Sequence, residues 1–285
     1  MISAIKYIFY YCQVLQVSGS YRAVLVAGSQ GFSNYRHQAD LCHAYHLIAS
    51  QMTDPSGTVI AMSYDDAAFA TENKFQGCLF NEPDGVDVRS KCLLTFSGEN
   101  VSVFNFKRSV LERDVLGGIN LVLIAFMGHG DREVLYFPNE ELTGSEFIDL
   151  LWEAHVPNAR TLILIDSCES ASLFEGASLP PGVIAITASS DDESSFGVYC
   201  PSGRSAGSSV TGDLVRGEYI GVCLGDLFTV AWLAEAEKFE GSLGGFIERV
   251  TLMVSRRSRV TWFGDVNLLD MRASAFFGKF HNGEL

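Results

Sequence analysis

The sequence predicts an α/β fold with a mostly parallel central sheet flanked by helices on both faces. Three observations lead there. Short runs rich in Leu, Ile and Val, bounded by Gly, Ser or acidic residues, read as strands buried on both sides. These runs alternate with segments of helical periodicity, the pattern of strands joined by crossover helices. Two of the runs end on residues able to do acyl-transfer chemistry, at the carboxyl ends of strands where ligand sites of such sheets lie.

Taken in order, residues 22–27 form the first predicted strand. Residues 36–52 form a helix whose stripe of Leu41, Ala44, Tyr45, Ile48 and Met52 follows the 3.6 period, so His43 and His46 read as surface or packing residues. Residues 59–64 are the next strand. The run 121–127 delivers Gly128-His129-Gly130, a helix is predicted over 145–155, and the run 161–165 delivers Asp166-Ser167-Cys168-Glu169-Ser170. A further strand is predicted at 183–187. Two helices follow at 226–238 and 242–256, the second with Leu243, Phe246, Val250 and Met253 on its apolar side. No repeat and no linker-like break appears between Arg22 and Trp262, which favours one domain.

If the two chemistry-bearing runs are neighbouring parallel strands, their backbones lie about 5 Å apart, and imidazole and thiol leave the sheet at one edge. A thiol is strongly nucleophilic as thiolate, so an imidazole that takes its proton is sufficient activation. Glycine beside His129 admits a substrate backbone, and the amides of Gly130 and Cys168 can face a developing oxyanion. Read singly, a Cys after a strand is a small buried hydrophobe. The pairing is what points to a cysteine hydrolase.

With 47% hydrophobic and 12% aromatic residues the chain can bury a sizeable core. A net charge of −14 argues against nucleic-acid or anionic-membrane binding, which need clustered Lys and Arg. Seven cysteines, an odd count without C-x-x-C spacing, fit one free reactive thiol plus disulfides. Residues 1–18 carry Lys6 and an apolar stretch broken by Gln13 and Gln16, a weak signal-like segment too short for a membrane span. Asn100-Val101-Ser102 is a glycosylation sequon. The histidines show no ligand spacing beyond His43/His46, so neither metal nor cofactor is expected.

The stretch 22–45, Gly128-His129-Gly130, the segment 166–172, Glu193-Ser194-Ser195 and Cys223-Leu224-Gly225-Asp226-Leu227-Phe228 resemble the legumain family, the asparaginyl endopeptidases or vacuolar processing enzymes, plant-type members above all. The resemblance implies a caspase-like fold and cleavage after Asn, less readily Asp. It implies Cys168 as nucleophile, His129 as acid/base, Asn34 orienting the imidazole, and Gly130 in the oxyanion hole. Arg36, His37, Asp166, Ser194, Ser195 and Asp226 would line the specificity pocket. A carboxamide offers one acceptor and a donor pair, so Arg36 and Asp226 can satisfy both ends. Without the resemblance they read as a structural salt bridge. Substrates would be proteins or peptides with exposed Asn, and the compartment a vacuolar or lysosomal lumen or the exterior. Cys200 and Cys223 resemble a plant-type disulfide closing a Gly/Ser-rich loop, and Gly197 is similar to hydrolases rather than ligases.

The chain departs from the family at Gly128, usually Asp, and at Asp166, usually Glu. Both changes resemble the GPI transamidase catalytic subunit, which makes a transamidase or peptide ligase the alternative, with a non-catalytic relative behind it. The expected organisation is a leader over 1–20, a catalytic domain over 21–265 and an extension over 266–285 without a helical prodomain. Oligomeric state leaves no trace in the sequence.

Overall fold

Eight consecutive residues, SYRAVLVA, form the first strand, β1 (Ser20–Ala27), and every one of them is buried. Such a strand needs cover on both faces. The structure, a computed structural model, describes residues 20–112, 119–201 and 212–279. After β1 come α1 (Tyr35–Gln51), β2 (Thr58–Met62), α2 (Val103–Leu111) and β3 (Ile119–Met127). A small ladder of β4 (Gly130–Asp131), β5 (Val134–Tyr136) and β6 (Glu141–Thr143) precedes α3 (Gly144–Ala154) and β7 (Arg160–Asp166). Then follow β8 (Val183–Thr187), β9 (Gly197–Val198), β10 (Leu214–Val215), β11 (Glu218–Tyr219) and β12 (Gly225–Asp226). The chain closes with α4 (Leu227–Lys238), α5 (Leu243–Val254), β13 (Thr261–Gly264) and α6 (Ala273–Phe276).

The central sheet has the order β13-β8-β7-β3-β1-β2. All its pairs are parallel except β13 with β8. Alternation along β1 feeds two cores. Tyr21, Ala23 and Leu25 pack with residues of α1, α4 and α5, and Val24 and Val26 with Phe106 of α2 and Phe147, Leu150 and Leu151 of α3. The predicted parallel sheet with helices on both faces is therefore what the chain builds.

Boundaries shift by one or two residues. The second strand stops at Met62 instead of 64 because the Ser63 amide turns to the Phe96 carbonyl, 3.2 Å away. The helix predicted over 145–155 starts one residue earlier, behind a capping box of Thr143 and Glu146. Ser242 caps α5, which ends at Val254, two residues short of the expected 256. The ladder β4–β6, helix α2 and the antiparallel edge strand β13 were not anticipated.

Residues 63–102 hold only short helical turns. This segment is pinned to α1 by the Cys42–Cys92 disulfide, which spans 50 residues and in the chain-entropy account stabilises the fold by about 4 kcal/mol. Cys200 and Cys223 form the second disulfide, Cys78 and Cys168 are free, and Cys12 lies outside the described residues. The leader expected over 1–20 also falls outside them, except for Ser20. From Val266 to Lys279 the chain packs into the same core. Tyr21 donates its hydroxyl to the Phe276 carbonyl at 2.9 Å, and Trp232 stacks on Phe277. Among the described residues no helix is long and apolar enough to cross a membrane.

Candidate active site

The strands β3 and β7 are parallel neighbours, with Met127 opposite Asp166. His129 and Cys168 each stand two residues beyond this last matched pair, so the register alone brings imidazole and thiol to one edge. The two turns abut. A Cβ on Gly130 would lie 2.6 Å from Ser167 Oγ and 3.0 Å from the Cys168 carbonyl oxygen, which only glycine avoids. Behind Cys168 the chain turns through Glu169 in the left-handed region (φ 50°). Glu169 N–H donates to the Glu193 carbonyl at 2.7 Å, and Ser189 Oγ donates to the Ser167 carbonyl at 3.0 Å. The Cys168 amide has no backbone partner among the described residues, leaving it free for an oxyanion.

Asn34 precedes α1 and fixes the imidazole. Its NH₂ donates to the Gln30 carbonyl at 2.8 Å, so its carbonyl oxygen faces His129 Nε2, also at 2.8 Å. Nε2 must then carry the hydrogen, and Nδ1 is left as the basic nitrogen. One side of the His129 ring packs edge-on against His37, 5.0 Å between centroids. Loss of water on that side, followed by the Arg36 charge, lowers the His129 pKa. Among the described residues Cys168 Sγ touches the Ser195 carbonyl and hydroxyl oxygens at 4.0 Å and makes no hydrogen bond to His129. Such contacts tighten when substrate arrives.

Beside this pair lies a buried polar cluster. Arg36 Nε donates to Asp226 Oδ1 at 2.7 Å. Asp226 Oδ2 is 3.3 Å from His37 Nε2, out of line for a hydrogen bond, and is left unsatisfied. His37 bonds instead to Ser29 Oγ at 2.6 Å through Nδ1, and burial, then Arg36 and His129, hold its pKa far below the ordinary range. Asp166 receives Thr229 N–H and Oγ–H on one oxygen at 2.9 and 2.8 Å, and its other oxygen is buried without a partner. Burial first, then Asp226, pushes Asp166 up to about 8. At mildly acidic pH it is a neutral acid with a hydroxyl to donate.

The structure thus brings together Asn34, His129, Gly130 and Cys168, and around Arg36 it gathers His37, Asp166 and Asp226. Ser195 joins them beside the thiol. Ser194 is exposed and makes no hydrogen bond among the described residues. The sequence reading missed Asp40, Asn81 and Thr229, which hold the pocket's carboxylates. The i, i+4 spacing of Arg36 and Asp40 on one helix was the available signal.

A thiol and an oriented imidazole at the edge of a parallel sheet, next to the Arg36–Asp226 ion pair, have the form of a cysteine-peptidase-type site. The chain belongs to the Peptidase C13 family, which matches residues 21–279. It is 33% identical to the vacuolar-processing enzyme delta-isozyme of Arabidopsis thaliana over 92% of this chain and 59% of that protein. It is 36% identical to legumain of Canavalia ensiformis over 77% of this chain and 47% of that one. Against the hemoglobinase of Schistosoma japonicum the figures are 35%, 76% and 50%. The chain spans about half the length of these relatives. Caspase-1 of Spodoptera frugiperda aligns over 86% of each chain with a TM-score of 0.49 at 9% identity.

Proposed function

We propose that this protein is a cysteine endopeptidase that hydrolyses peptide bonds after Asn, and less readily after Asp. The observation that carries this reading is the ion pair of partly buried Arg36 with buried Asp226, beside Cys168 and His129. It offers a donor for a carboxamide oxygen and an acceptor for its NH₂. An apolar side chain would leave Asp226 Oδ2 and the guanidinium N–H groups not already engaged without a partner, a rejection worth orders of magnitude. Neutral Asp166 adds a second donor at acid pH.

In the reaction His129 Nδ1 takes the Cys168 proton and the thiolate attacks the scissile carbonyl. The oxyanion is met by the amides of Gly130 and Cys168. The C–N bond breaks as the imidazolium gives its proton to the leaving amine, and water, deprotonated by the same nitrogen, then hydrolyses the thioester. Membership of the family and the names of its relatives support a vacuolar or lysosomal lumen, and the two disulfides fit an oxidising compartment. The test is turnover of a fluorogenic Ala-Ala-Asn peptide beside its Asp and Ala counterparts, with Cys168→Ala as control. Asn-selective turnover lost in the control is expected. A folded protein with an alkylatable Cys168 that cleaves none of the three refutes the reading.

A further inference from the structure

Asp226 is gripped twice, once by its side chain and once by its backbone. The side chain takes Arg36 from the first turn of α1. The backbone N–H donates to Oδ2 of Asp40, one helical turn further on, at 2.9 Å. Oδ1 of Asp40 accepts from the Asn81 side-chain NH₂ at 2.7 Å, and that NH₂ also donates to the Leu224 carbonyl at 3.0 Å. The amide oxygen of Asn81 accepts from His43 Nδ1 at 2.7 Å, which fixes the orientation of the amide. His43 Nε2 in turn lies 3.3 Å from Glu237 at the surface.

Between the two held backbone groups sits Gly225. A Cβ there would come within 2.8 Å of Asn81 Nδ2 and 3.1 Å of Asp40 Oδ1, so strand β12 rests directly on this pair. Asp40 is fully buried and Asn81 nearly so. Neither bonds to Cys168 or His129. Arg36, Asp40 and His43 follow one another at four and three residues, and therefore share one face of α1.

We propose that Asp40 and Asn81, with His43 behind them, are positioning residues that set where Asp226 presents its carboxylate, and thereby the preference for Asn over Asp. This rests on the reading of Arg36 and Asp226 as the specificity pair. The two oxygens of Asp40 serve two different donors. A carboxamide in its place has one acceptor oxygen, and its NH₂ must face either Asn81 or the Asp226 amide. Removing the His43 donor leaves the Asn81 amide oxygen without a partner and loosens the amide's hold on Asp40 and Leu224.

The test is steady-state kinetics of the whole chain carrying Asp40→Asn or His43→Leu on the Asn and Asp peptides. Thermal stability and the rate of Cys168 alkylation by iodoacetamide, which does not use the pocket, are measured beside it. For Asp40→Asn a rise in KM of about tenfold or more on the Asn peptide is expected, with an equal fall in the Asn-to-Asp ratio of kcat/KM. For His43→Leu the same change is expected at roughly threefold or more. In both, kcat and alkylation stay within about twofold, and His43→Gln, which keeps an N–H donor, restores the ratio. Folded variants with wild-type KM and ratio overturn the proposal. A joint fall of kcat and alkylation at unchanged ratio also overturns it. Should Asp40→Asn not fold, the half-exposed His43→Leu decides. A wild type that cleaves no Asn peptide overturns the specificity reading itself, before any variant is compared.

Discussion

At the scale of single residues, the His129 ring makes one hydrogen bond among the described residues, to Asn34. Asn34→Ala removes the acceptor at Nε2, so the ring samples both tautomers and more than one rotamer. We expect kcat to fall about tenfold, or ~1.4 kcal/mol of transition-state stabilisation, with KM within about twofold, read by steady-state kinetics. Gly130 is constrained from the other side. In Gly130→Ala the new methyl meets backbone as well as Ser167, so the His129 and Cys168 turns must separate. A displacement near 1 Å costs roughly a hundredfold in rate, and the crowding costs about 1–3 kcal/mol of stability. Unchanged kcat in a folded Gly130→Ala protein contradicts the packing described here. Gly128, where relatives were expected to carry Asp, has little room for a side chain, because a Cβ would lie 2.8 Å from the Phe126 ring.

At the scale of elements, Asp166 anchors the first turn of α4 to the end of β7, through Thr229. Thr229→Val keeps the shape and the backbone bond but deletes one donor, at a cost of about 1 kcal/mol. Because that donor favours the charged form of Asp166, the cost should grow between pH 6 and pH 9, which urea unfolding at both values can read. The elements that carry the catalytic pair were legible in sequence for a simple reason. The strands β1, β3, β7 and β8 are covered on both faces and appear as unbroken apolar runs. Helix α1 was legible from Leu41, Ala44 and Ile48, buried at helical spacing, although its residues 37–42 are buried all round. Helix α2 was not legible, since it is only nine residues long and one of its large apolar side chains, Phe104, faces solvent. Residues 63–102 follow no period because polar side chains hold them, Arg89 on Asp65 and Asn73 on three carbonyls. Asp40 and Asn81 were invisible for a related reason. A buried polar residue declares itself only with its partner, and here the two are 41 positions apart.

For the whole molecule, the buried ionisable groups oppose one another in pH. Asp166, moved from 3.8 to about 8, keeps a proton in the folded chain that the unfolded chain has released above about pH 4. Its contribution to stability therefore falls as pH rises toward 8. His37 and His129, held below the ordinary 6.5, refuse protons that the unfolded chain accepts, so their contribution falls as pH drops below 6.5. Glu146, Glu193, Glu235 and Asp265 are depressed and add a loss at still lower pH. Stability is expected to be greatest in a mildly acidic interval and to decline through neutrality. Asp166→Asn should flatten the decline between pH 6.5 and 8, as seen in unfolding temperature. An unaltered decline would mean that Asp166 is ionised in the native protein. The lowered His129 pKa acts in the same direction on turnover, keeping Nδ1 unprotonated to a pH below the ordinary 6.5. The acid limb of the kcat/KM profile should accordingly lie below pH 6.5.

The adjacency of β3 and β7 has one more result. His129 and Cys168 both belong to a single crossover, the stretch of chain from β3 through α3 to the turn after β7, whereas Arg36, Asp40 and Asp226 come from segments before and after it. The proposed nucleophile and base thus share one length of polypeptide, the proposed specificity pair comes from either side of it, and Asn34 and Asp166 tie the two together. If the proposed roles hold, exchanges at Arg36 or Asp226 fall outside the stretch that holds the thiol and the imidazole, whereas an exchange at Asp166 falls within it.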